Sequence, residues 1–552
     1  MNETILGLMK RFALPIAGLL GAVVLLSAFR SNDDLFELRK NFEVFGALYE
    51  EIALGYVDDV RPTPFMRAGI DAMLEQLDPY THFYDEAAMV DSRILQQQNL
   101  GGVGLSIGRK GGRLSVLAPD GEATAYQKGV RPGDIILQIG ETSTDGLTVM
   151  EATNLLLGQP GTVVQILIQR TGEVAPRSFV LPRIKPRAVN VSRAGWLGAD
   201  SSEAIAYVRL DRFGNRAGRE VKRAFRTLNR SVPLHGMVLD LRGNPGGLLS
   251  EAVNVVGNFA PKGSLVVTTR SRIDGVVQEF RTDEDPLFPD VPLVILVNEY
   301  SASASEIVSG ALQDMDRAVI MGTTSLGKGL VQVLKPLPHN TTLKLTVSHY
   351  FLPTGRTIQS ARYSSESATA TNPTLLEFET AAGRTVRGGR GVEPDVPIEV
   401  EPPGQVENAL QRESAFFLFA NEWVATRCQS NETCSASGDE KVSAFLEWLD
   451  RSHISITTEF DLSLSALELE SVETGFDGIT DELERLKTAV EVAKSDQLAS
   501  IEDRILMHIQ HEIDTRLLEQ SDQISEEIAS DGWISQAQAL LQEEGRLEAL
   551  LR

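Results

Sequence analysis

Residues 292–322 read PLVILVNEYSASASEIVSGALQDMDRAVIMG and alternate between two textures. The apolar runs PLVILVN and RAVIMG have the length and composition of buried strands. A helix is predicted to begin between them at Ser303, because Ser303 and Glu306 form the S-x-x-E pattern of a helix start. A strand, a helix and a strand in this order indicate a parallel sheet with helices on its faces.

The same alternation extends over residues 184–403 and predicts an α/β layer there, with strands AIAYVRL and GMVLDLRG and a helix over 217–228. Residues 96–183 differ: short glycine-punctuated strands such as GGVGLSI and VVQILIQR predict a compact β-rich domain with two helices. Helical periodicity dominates residues 31–95 and 404–552. The fold class is therefore multidomain α/β (α+β), with a helical region at the C-terminal end.

Charge is spread unevenly along the 552 residues. The chain carries 52 Lys+Arg against 76 Asp+Glu, a formal net charge of −24, and residues 401–552 hold 32 acidic and 11 basic side chains. An acidic protein cannot neutralise a phosphate backbone, so no nucleic-acid partner is expected. The acidic helices are interpreted as a folded module that pairs with another subunit, binds a regulator or packs on the rest of the chain.

The N-terminus predicts a membrane anchor. Residues 12–29 carry no charge and follow Lys10 and Arg11, which the positive-inside rule keeps in the cytoplasm. Residues 1–30 are thus an uncleaved anchor or a signal, and the remainder lies on the outer face of the membrane. Cys428 and Cys434 fit one local disulfide in an oxidising compartment, with two free thiols as the alternative.

Three small-residue turns beside predicted strands could carry chemistry. The turn at Gly322–Gly329 nearly matches a phosphate-binding loop, but Gly329 replaces the magnesium-binding hydroxyl and the residues that follow read as a strand. Ser325 and Lys328 have S-x-x-K spacing, which the neighbouring glycines disfavour because it requires a helix. None of the seven histidines lies in these turns, and neither a metal nor a cofactor is expected.

The other two turns are SASASE, with Ser303 at the predicted strand-to-helix turn, and DLRGNPGG, which ends the strand before it. A serine at such a turn exposes its hydroxyl, and the amides beside it can stabilise an oxyanion. Together with LGKG around Lys328 and with Gln332, these motifs resemble the carboxyl-terminal processing peptidases, serine proteases with a Ser-Lys dyad and an embedded PDZ domain. The resemblance covers about residues 35–400 and includes LDPYTHFY, GGVGLSI and GRGVEPDV.

The resemblance implies specific roles. Ser303 would be the nucleophile, Lys328 the general base and Gln332 its support, with the amides of Ala304, Gly246 and Gly247 as oxyanion donors. Residues 96–183 would be the PDZ domain, with a carboxylate-binding loop at Gly102, Val103, Gly104 and Leu105. Residues 184–403 would be the protease core. The expected partners are protein substrates with free C-termini and the bacterial inner membrane, with the catalytic part in the periplasm or outside the cell.

The role of Lys328 as general base requires a particular environment around its amine. A lysine in water titrates near pH 10.4, so Lys328 can accept the Ser303 proton at neutral pH only in a dry environment. The alternative function is a catalytically inactive PDZ scaffold of the cell envelope, which the presence of Ser303, Lys328 and Gln332 disfavours.

Overall fold

The computed structural model describes residues 36–37, 39–85, 100–119, 124–185, 189–197, 204–272, 276–360, 376–428, 436–452, 454–517 and 528–552. They divide into two compact units, Met1–Phe83 and Tyr84–Arg552. The predicted anchor at residues 12–29 lies outside the described residues. Among the helices that are described, none has both the length and the apolarity that crossing a membrane requires.

The first unit contains the predicted helices. Helix α1 runs over residues 39–55 and α2 over Pro62–Leu74, and β1 (His82–Tyr84) follows. Proline suits the first helical position because its amide would have no partner there, so Pro62 opens α2. The rings of Tyr49 and Phe65 stack at 5.9 Å between the two helices.

The β-rich domain predicted for residues 96–183 is a six-stranded antiparallel sheet with two helices. Its elements are β2 (Leu105–Lys110), β3 (Arg113–Pro119), α3 (Thr124–Gln127), β4 (Ile135–Ile139), β5 (Thr142–Ser143), α4 (Val149–Leu156), β6 (Val163–Gln169) and β7 (Arg177–Pro182). The strand order is β2-β3-β4-β6-β7, with β5 beside β4, so β2 lies at the sheet edge. A capping box between Thr148 and Glu151 begins α4.

The α/β layer is built on a second six-stranded sheet in the order β19-β14-β13-β10-β9-β8. Its strands are β8 (Val191–Leu197), β9 (Ile205–Leu210), β10 (Gly236–Asp240), β13 (Leu293–Val297), β14 (Val319–Gly322) and β19 (Val396–Pro397). All pairs are parallel except β8 with β9. The parallel sheet predicted from the alternating elements is therefore confirmed, and the carboxyl ends of β10 and β13 lie side by side.

Helices cover both faces of this sheet. One face packs against α5 (Ala217–Ser231), α6 (Leu249–Val256) and α7 (Ala304–Asp314). The other face packs against two helices from the end of the chain, α14 (Gly532–Gln542) and α15 (Arg546–Leu550), through Ile534, Ala537 and Leu547. These helices lie beyond the predicted boundary at residue 403 and still contribute to the core of the α/β layer.

A smaller antiparallel sheet adjoins the α/β layer. Its strands include β11 (Leu265–Ser271), β12 (Val277–Arg281), β15 (Leu330–Pro336) and β16 (Thr342–Phe351). Strand β15 pairs with β16, β16 with β11, and β11 with β12. A separate hairpin consists of β17 (Glu377–Glu379) and β18 (Thr385–Arg387). The strand predicted directly after Lys328 is therefore present as β15.

The remaining C-terminal residues form a helical cluster with an aromatic core. Its helices are α8 (Gln405–Arg412), α9 (Ala415–Arg427), α10 (Gly438–Ser452), α11 (Glu459–Thr474), α12 (Thr480–Ser500) and α13 (Glu502–Leu517), with a short 3-10 helix at Asp477–Ile479. Ile505, Ile509 and Ile513 of α13 are buried in this core. Cys428 is disulfide-bonded, and the one other cysteine, Cys434, lies outside the described residues.

Candidate active site

Ser303 lies at the turn from β13 into α7 and has an unusual backbone conformation. Its φ is +57° and its ψ is −110°, a region that costs a residue with a side chain about 1–3 kcal/mol. The Ser303 amide donates to Glu306 Oε2 at 2.8 Å, which is one half of the predicted capping box. Ser303 is 8% exposed, so its side chain is largely shielded from water.

Glu306 is fully buried and accepts four hydrogen bonds. Oε2 accepts the amides of Ser303 at 2.8 Å and Lys328 at 2.9 Å, and Oε1 accepts the Gly327 amide at 2.7 Å and the Ser325 hydroxyl at 2.5 Å. Burial raises the pKa of Glu306, and the four donors oppose this rise. One carboxylate thus joins the Ser303 turn to the Lys328 turn, a role that the capping pattern alone did not predict.

The DLRGNPGG turn lies directly against Ser303. Gly246 has a φ of +97°, and a Cβ there would lie 2.9 Å from Ser303 Cβ and from the Ala304 amide nitrogen, so the close approach requires glycine. The Gly246 amide donates to Asn244 Oδ1 at 2.9 Å. The Gly246 amide, which is predicted to be an oxyanion donor, is therefore engaged by Asn244 in this structure. Gly247 is exposed, and its amide has no hydrogen-bond partner among the described residues.

Hydrogen bonds also tie the DLRGNPGG turn to the Ser303 turn. The Asn244 carbonyl accepts the Ala302 amide at 3.0 Å and the Ser305 hydroxyl at 2.9 Å. The Gly243 amide donates to Asn298 Oδ1 at 2.8 Å. The parallel register places these two turns beside each other, since β10 and β13 are neighbours in the sheet.

Lys328 and Gln332 lie before and within β15. Lys328 is half-buried, and its backbone is held by Glu306. The pairing of β15 with β16 shifts register between Val331 and Gln332. The Gln332 Nε2 atom is buried and has no hydrogen-bond partner among the described residues. A buried amide donor without a partner costs free energy, which marks it as a candidate to contact another group in the site.

Tyr350 is a site residue that the sequence reasoning missed. It lies on β16, is 6% exposed, and its amide donates to the Gly329 carbonyl at 2.8 Å. Burial raises the pKa of the Tyr350 phenol, and a side-chain hydrogen bond with Ser303 opposes this rise. No sequence motif marks Tyr350, because its position beside the Gly329 backbone depends on the pairing of β15 with β16.

The predicted carboxylate-binding loop precedes the edge strand β2. The Gly102 amide, which is predicted to contact a substrate carboxylate, donates to the Ile184 carbonyl at 2.9 Å in this structure. Val103 is buried, and Gly104 has a φ of +69°. Val103 packs in the same core as Ala152 and Leu156 of α4, so the loop lies beside that helix.

The turn at Gly322–Gly329 nearly matches a phosphate-binding loop in sequence but differs from one in the element that follows it. The residues after Lys328 form strand β15, so the turn at Gly322–Gly329 presents no helix N-terminus to a phosphate group. Within the described ranges, no group of three or more His, Cys, Asp or Glu side chains is arranged to hold a metal ion.

Comparison with known families matches two regions of the chain. Residues 204–364 match the model described as "Peptidase family S41". Residues 406–541 match the model described as "Probable PDZ-protease, C-terminal helical domain". The first match spans the Ser303 and Lys328 turns and defines the class of protein, a serine-type peptidase.

Two similar proteins indicate which kind of serine-type peptidase the chain resembles. The chain is 35% identical over 325 residues to a carboxy-terminal-processing protease of Bartonella bacilliformis, covering 58% of this chain and 73% of that protein. It is 34% identical to a carboxyl-terminal-processing protease of Synechocystis sp., covering 51% of this chain and 66% of that protein. The chain belongs to the carboxyl-terminal processing protease family.

A solved structure of the photosystem II D1 C-terminal processing protease is 27% identical and covers 66% of this chain and 88% of that one. The TM-score between the two is 0.37.

Proposed function

We propose that the chain is an endopeptidase that cuts exported proteins near their C-termini, with Ser303 as nucleophile and Lys328 as general base. The observation that carries this proposal is that Glu306 Oε2 accepts the backbone amides of both residues. A shared buried acceptor fixes the relative position of two turns that are distant in sequence. Such positioning is what a nucleophile and its base require.

In the proposed reaction, Ser303 Oγ attacks the scissile carbonyl while Lys328 Nζ takes its proton. An acyl-enzyme forms and water then hydrolyses it. The Ala304 and Gly247 amides would hold the oxyanion, since Ala304 opens α7 and the Gly247 amide has no partner among the described residues. Gln332 would donate its buried Nε2–H to the neutral amine of Lys328.

Substrate selection would begin at β2. A PDZ assignment for residues 96–183 is supported by the position of β2 at the sheet edge, where an extended peptide can add as a further strand. The amides of Val103, Gly104 and Leu105 would bind the terminal carboxylate, without that of Gly102. The acceptor pocket would lie between β2 and α4, whose apolar residues would favour tails that end in small or apolar residues.

The remaining assignments are also proposals. We place the anchor or signal at residues 1–30, the helical segment at 31–95, the PDZ domain at 96–183, and the protease core at 184–403 together with 528–552. The catalytic part would lie in the periplasm or outside the cell. Self-association or regulator binding through the helical cluster is supported by exposed apolar residues on α11 and beyond its end. These residues are Phe460, Leu462, Leu469, Val472 and Phe476.

Cleavage of an unstructured protein with an apolar C-terminal tail tests the proposal. We expect activity in the full chain and in Ser309→Ala, which removes a hydroxyl that bonds only within α7. Ser303→Ala should abolish cleavage. Equal cleavage by Ser303→Ala would refute the nucleophile, and binding without cleavage by the unmodified chain would favour the inactive scaffold.

The base has a separate test. Lys328→Ala and Lys328→Arg should both lose cleavage, because neither side chain can accept the Ser303 proton at neutral pH. Activity of the unmodified chain should rise with pH as Lys328 loses its proton, and a metal chelator should have no effect. Substantial activity in Lys328→Ala would show that another group is the base.

A further inference from the structure

Arg242, in the DLRGNPGG turn, pairs with a residue from the far end of the chain. Its Nη1 and Nη2 donate to Oδ1 and Oδ2 of Asp531 at 3.2 and 2.8 Å. This is the parallel two-bond geometry in which a guanidinium and a carboxylate bind most specifically. The side chains of Arg242 and Asp531 are 13% and 23% exposed, so water screens the pair only partly. The Arg242 guanidinium also lies 5.2 Å from the ring centre of Trp533.

Asp531 is itself held rigidly. It is the N-cap of α14, where its Oδ1 accepts the amides of Trp533 at 2.8 Å and Ile534 at 3.1 Å. Helix α14 packs its buried residues Ile534 and Ala537 on the parallel sheet. The Trp533 ring also lies close to Gly322, where a Cβ would be 2.8 Å from it. A carboxylate fixed in this way can fix the position of its partner.

Within its own turn, Arg242 also contacts Asp240. Its Nη2 donates to Asp240 Oδ2 at 2.6 Å, and its backbone amide donates to Asp240 Oδ1 at 2.9 Å. Asp240 is fully buried and accepts the Tyr207 hydroxyl as well. The Arg242 guanidinium therefore bonds two carboxylates, that of Asp240 in its own turn and that of Asp531 at the start of α14. If Asp531 were removed, Asp240 would be the one of these two carboxylates that still bonds the Arg242 guanidinium.

The turn that begins at Arg242 continues to the proposed oxyanion donor. Asn244, two residues on, binds the Ser303 turn through its carbonyl oxygen and the Gly246 amide through Oδ1. Gly246 touches Ser303, and Gly247 follows it. A shift of Arg242 therefore moves the segment that carries the Gly247 amide relative to Ser303.

We propose that Asp531 is a positioning residue for catalysis, which holds the oxyanion turn in its working shape through Arg242. The inference rests on the proposed role of Gly247 and extends the catalytic apparatus to a C-terminal helix outside residues 204–364, which match the peptidase family. Helix α14 would thus contact the protease core in two ways, through the Asp531–Arg242 pair beside the active site and through its packing on the parallel sheet.

The test compares three variants of the full chain. Asp531→Asn keeps an oxygen to cap α14 but removes the charge that pairs with Arg242. We expect kcat to fall about 10- to 100-fold, since small displacements of reacting groups have effects of this size, with KM and the melting temperature nearly unchanged. Asp531→Glu should restore part of kcat. The control Leu541→Ala removes packing of α14 against Gly236 away from Arg242, and should lower the melting temperature without changing kcat well below it.

Labelling of Ser303 by a fluorophosphonate gives a second readout. Its rate should fall in Asp531→Asn in parallel with kcat. An unchanged kcat in Asp531→Asn, or a loss of kcat that follows only the loss of folded protein, would overturn the inference. Failure of the proposed function is separate, because it would appear as cleavage by Ser303→Ala while Asp531→Asn was still impaired.

Discussion

The backbone amides of Ser303 and Lys328 donate to one oxygen atom, Oε2 of Glu306, at 2.8 and 2.9 Å. The two residues belong to turns that follow different strands of the parallel sheet, β13 and β14. Each turn could shift separately if it were held only by its own strand. A single buried acceptor makes the two backbones move together.

This shared acceptor predicts the behaviour of Glu306→Gln. The variant keeps the size of the side chain but replaces one acceptor oxygen with an NH2 group, which faces amide donors and leaves them unpaired. Each unpaired buried donor costs about 1–3 kcal/mol, so the melting temperature should fall. The kcat should fall about 100-fold if either turn shifts by about 1 Å.

The matched control for this prediction is Glu299→Gln, an exposed carboxylate in the same turn region. We expect it to leave both the melting temperature and kcat unchanged. Equal kcat in Glu306→Gln and the unmodified chain would mean that the Glu306 bonds are not needed for the geometry of the site.

Tyr350→Phe removes a buried phenol whose pKa is raised by burial and lowered by a side-chain hydrogen bond with Ser303. The ring remains, so the fold should be retained, while loss of one hydrogen bond corresponds to about a two- to tenfold fall in kcat. The measurement is kcat on an unstructured substrate, together with the melting temperature. His349→Ala, the exposed neighbour on the same strand, is the control and should behave as the unmodified chain. An unaltered kcat in Tyr350→Phe would limit Tyr350 to a packing role.

Gly104→Ala tests the proposed recognition of the substrate carboxylate. Alanine is strained at a φ of +69°, so the loop should change shape and lose bonds to a terminal carboxylate. Hydrogen bonds to a charged group are worth about 1.5–3 kcal/mol each, which corresponds to about a 10- to 100-fold rise in KM for a peptide with a free C-terminus. A peptide with an amidated C-terminus should be cut equally by both proteins.

The control for this prediction is Gly112→Ala. Gly112 has a φ of +75° in the hairpin turn of the same domain, and no atom lies within 4 Å of the position that a Cβ would take there. It therefore introduces the same backbone strain away from the loop. If Gly104→Ala raised KM equally for the free and amidated peptides, the loop around Gly104 would not bind the terminal carboxylate.

The parts of the fold that were predictable are those with local signals. The apolar run LVILV and the S-x-x-E pattern can each be recognised within a few residues. The structure confirms them as strand β13 and as the start of helix α7. The role of Tyr350 depends on strand pairing, which has no local signal. The Asp531 contact joins residues 289 positions apart, so only the folded chain could reveal it.

The amides of Gly102 and Gly246 are both engaged within the chain, for the same physical reason. Gly102 and Gly246 lie in glycine-rich turns, where sequence patterns indicate free backbone donors. In the structure, the Gly102 amide donates to the Ile184 carbonyl and the Gly246 amide donates to Asn244 Oδ1. Neither acceptor is a glycine. A glycine motif thus predicts where donors cluster, while the surrounding acceptors decide which donors remain available.

Tyr207→Phe tests the buried network beneath the DLRGNPGG turn through the pH dependence of stability. The Tyr207 hydroxyl donates to Asp240 Oδ2 at 2.8 Å, and burial followed by the Asp240 charge raises the pKa of Tyr207. A tyrosine in the unfolded chain titrates near pH 10, so above that pH the unfolded state loses a proton that the folded state keeps. The stability contributed by Tyr207 is therefore complete below about pH 10 and is lost as the pH rises further.

At pH 8 the unmodified chain should be more stable than Tyr207→Phe by about 1.5–3 kcal/mol, the value of a hydrogen bond to a charged group. Above pH 10 this difference should shrink by up to about 1.4 kcal/mol per pH unit. Urea titrations at pH 8, 10 and 11 measure it. Tyr300→Phe, which removes a phenol that is 65% exposed, should give a difference that does not change with pH. A difference for Tyr207→Phe that grew above pH 10 would contradict the assigned direction of the pKa shift.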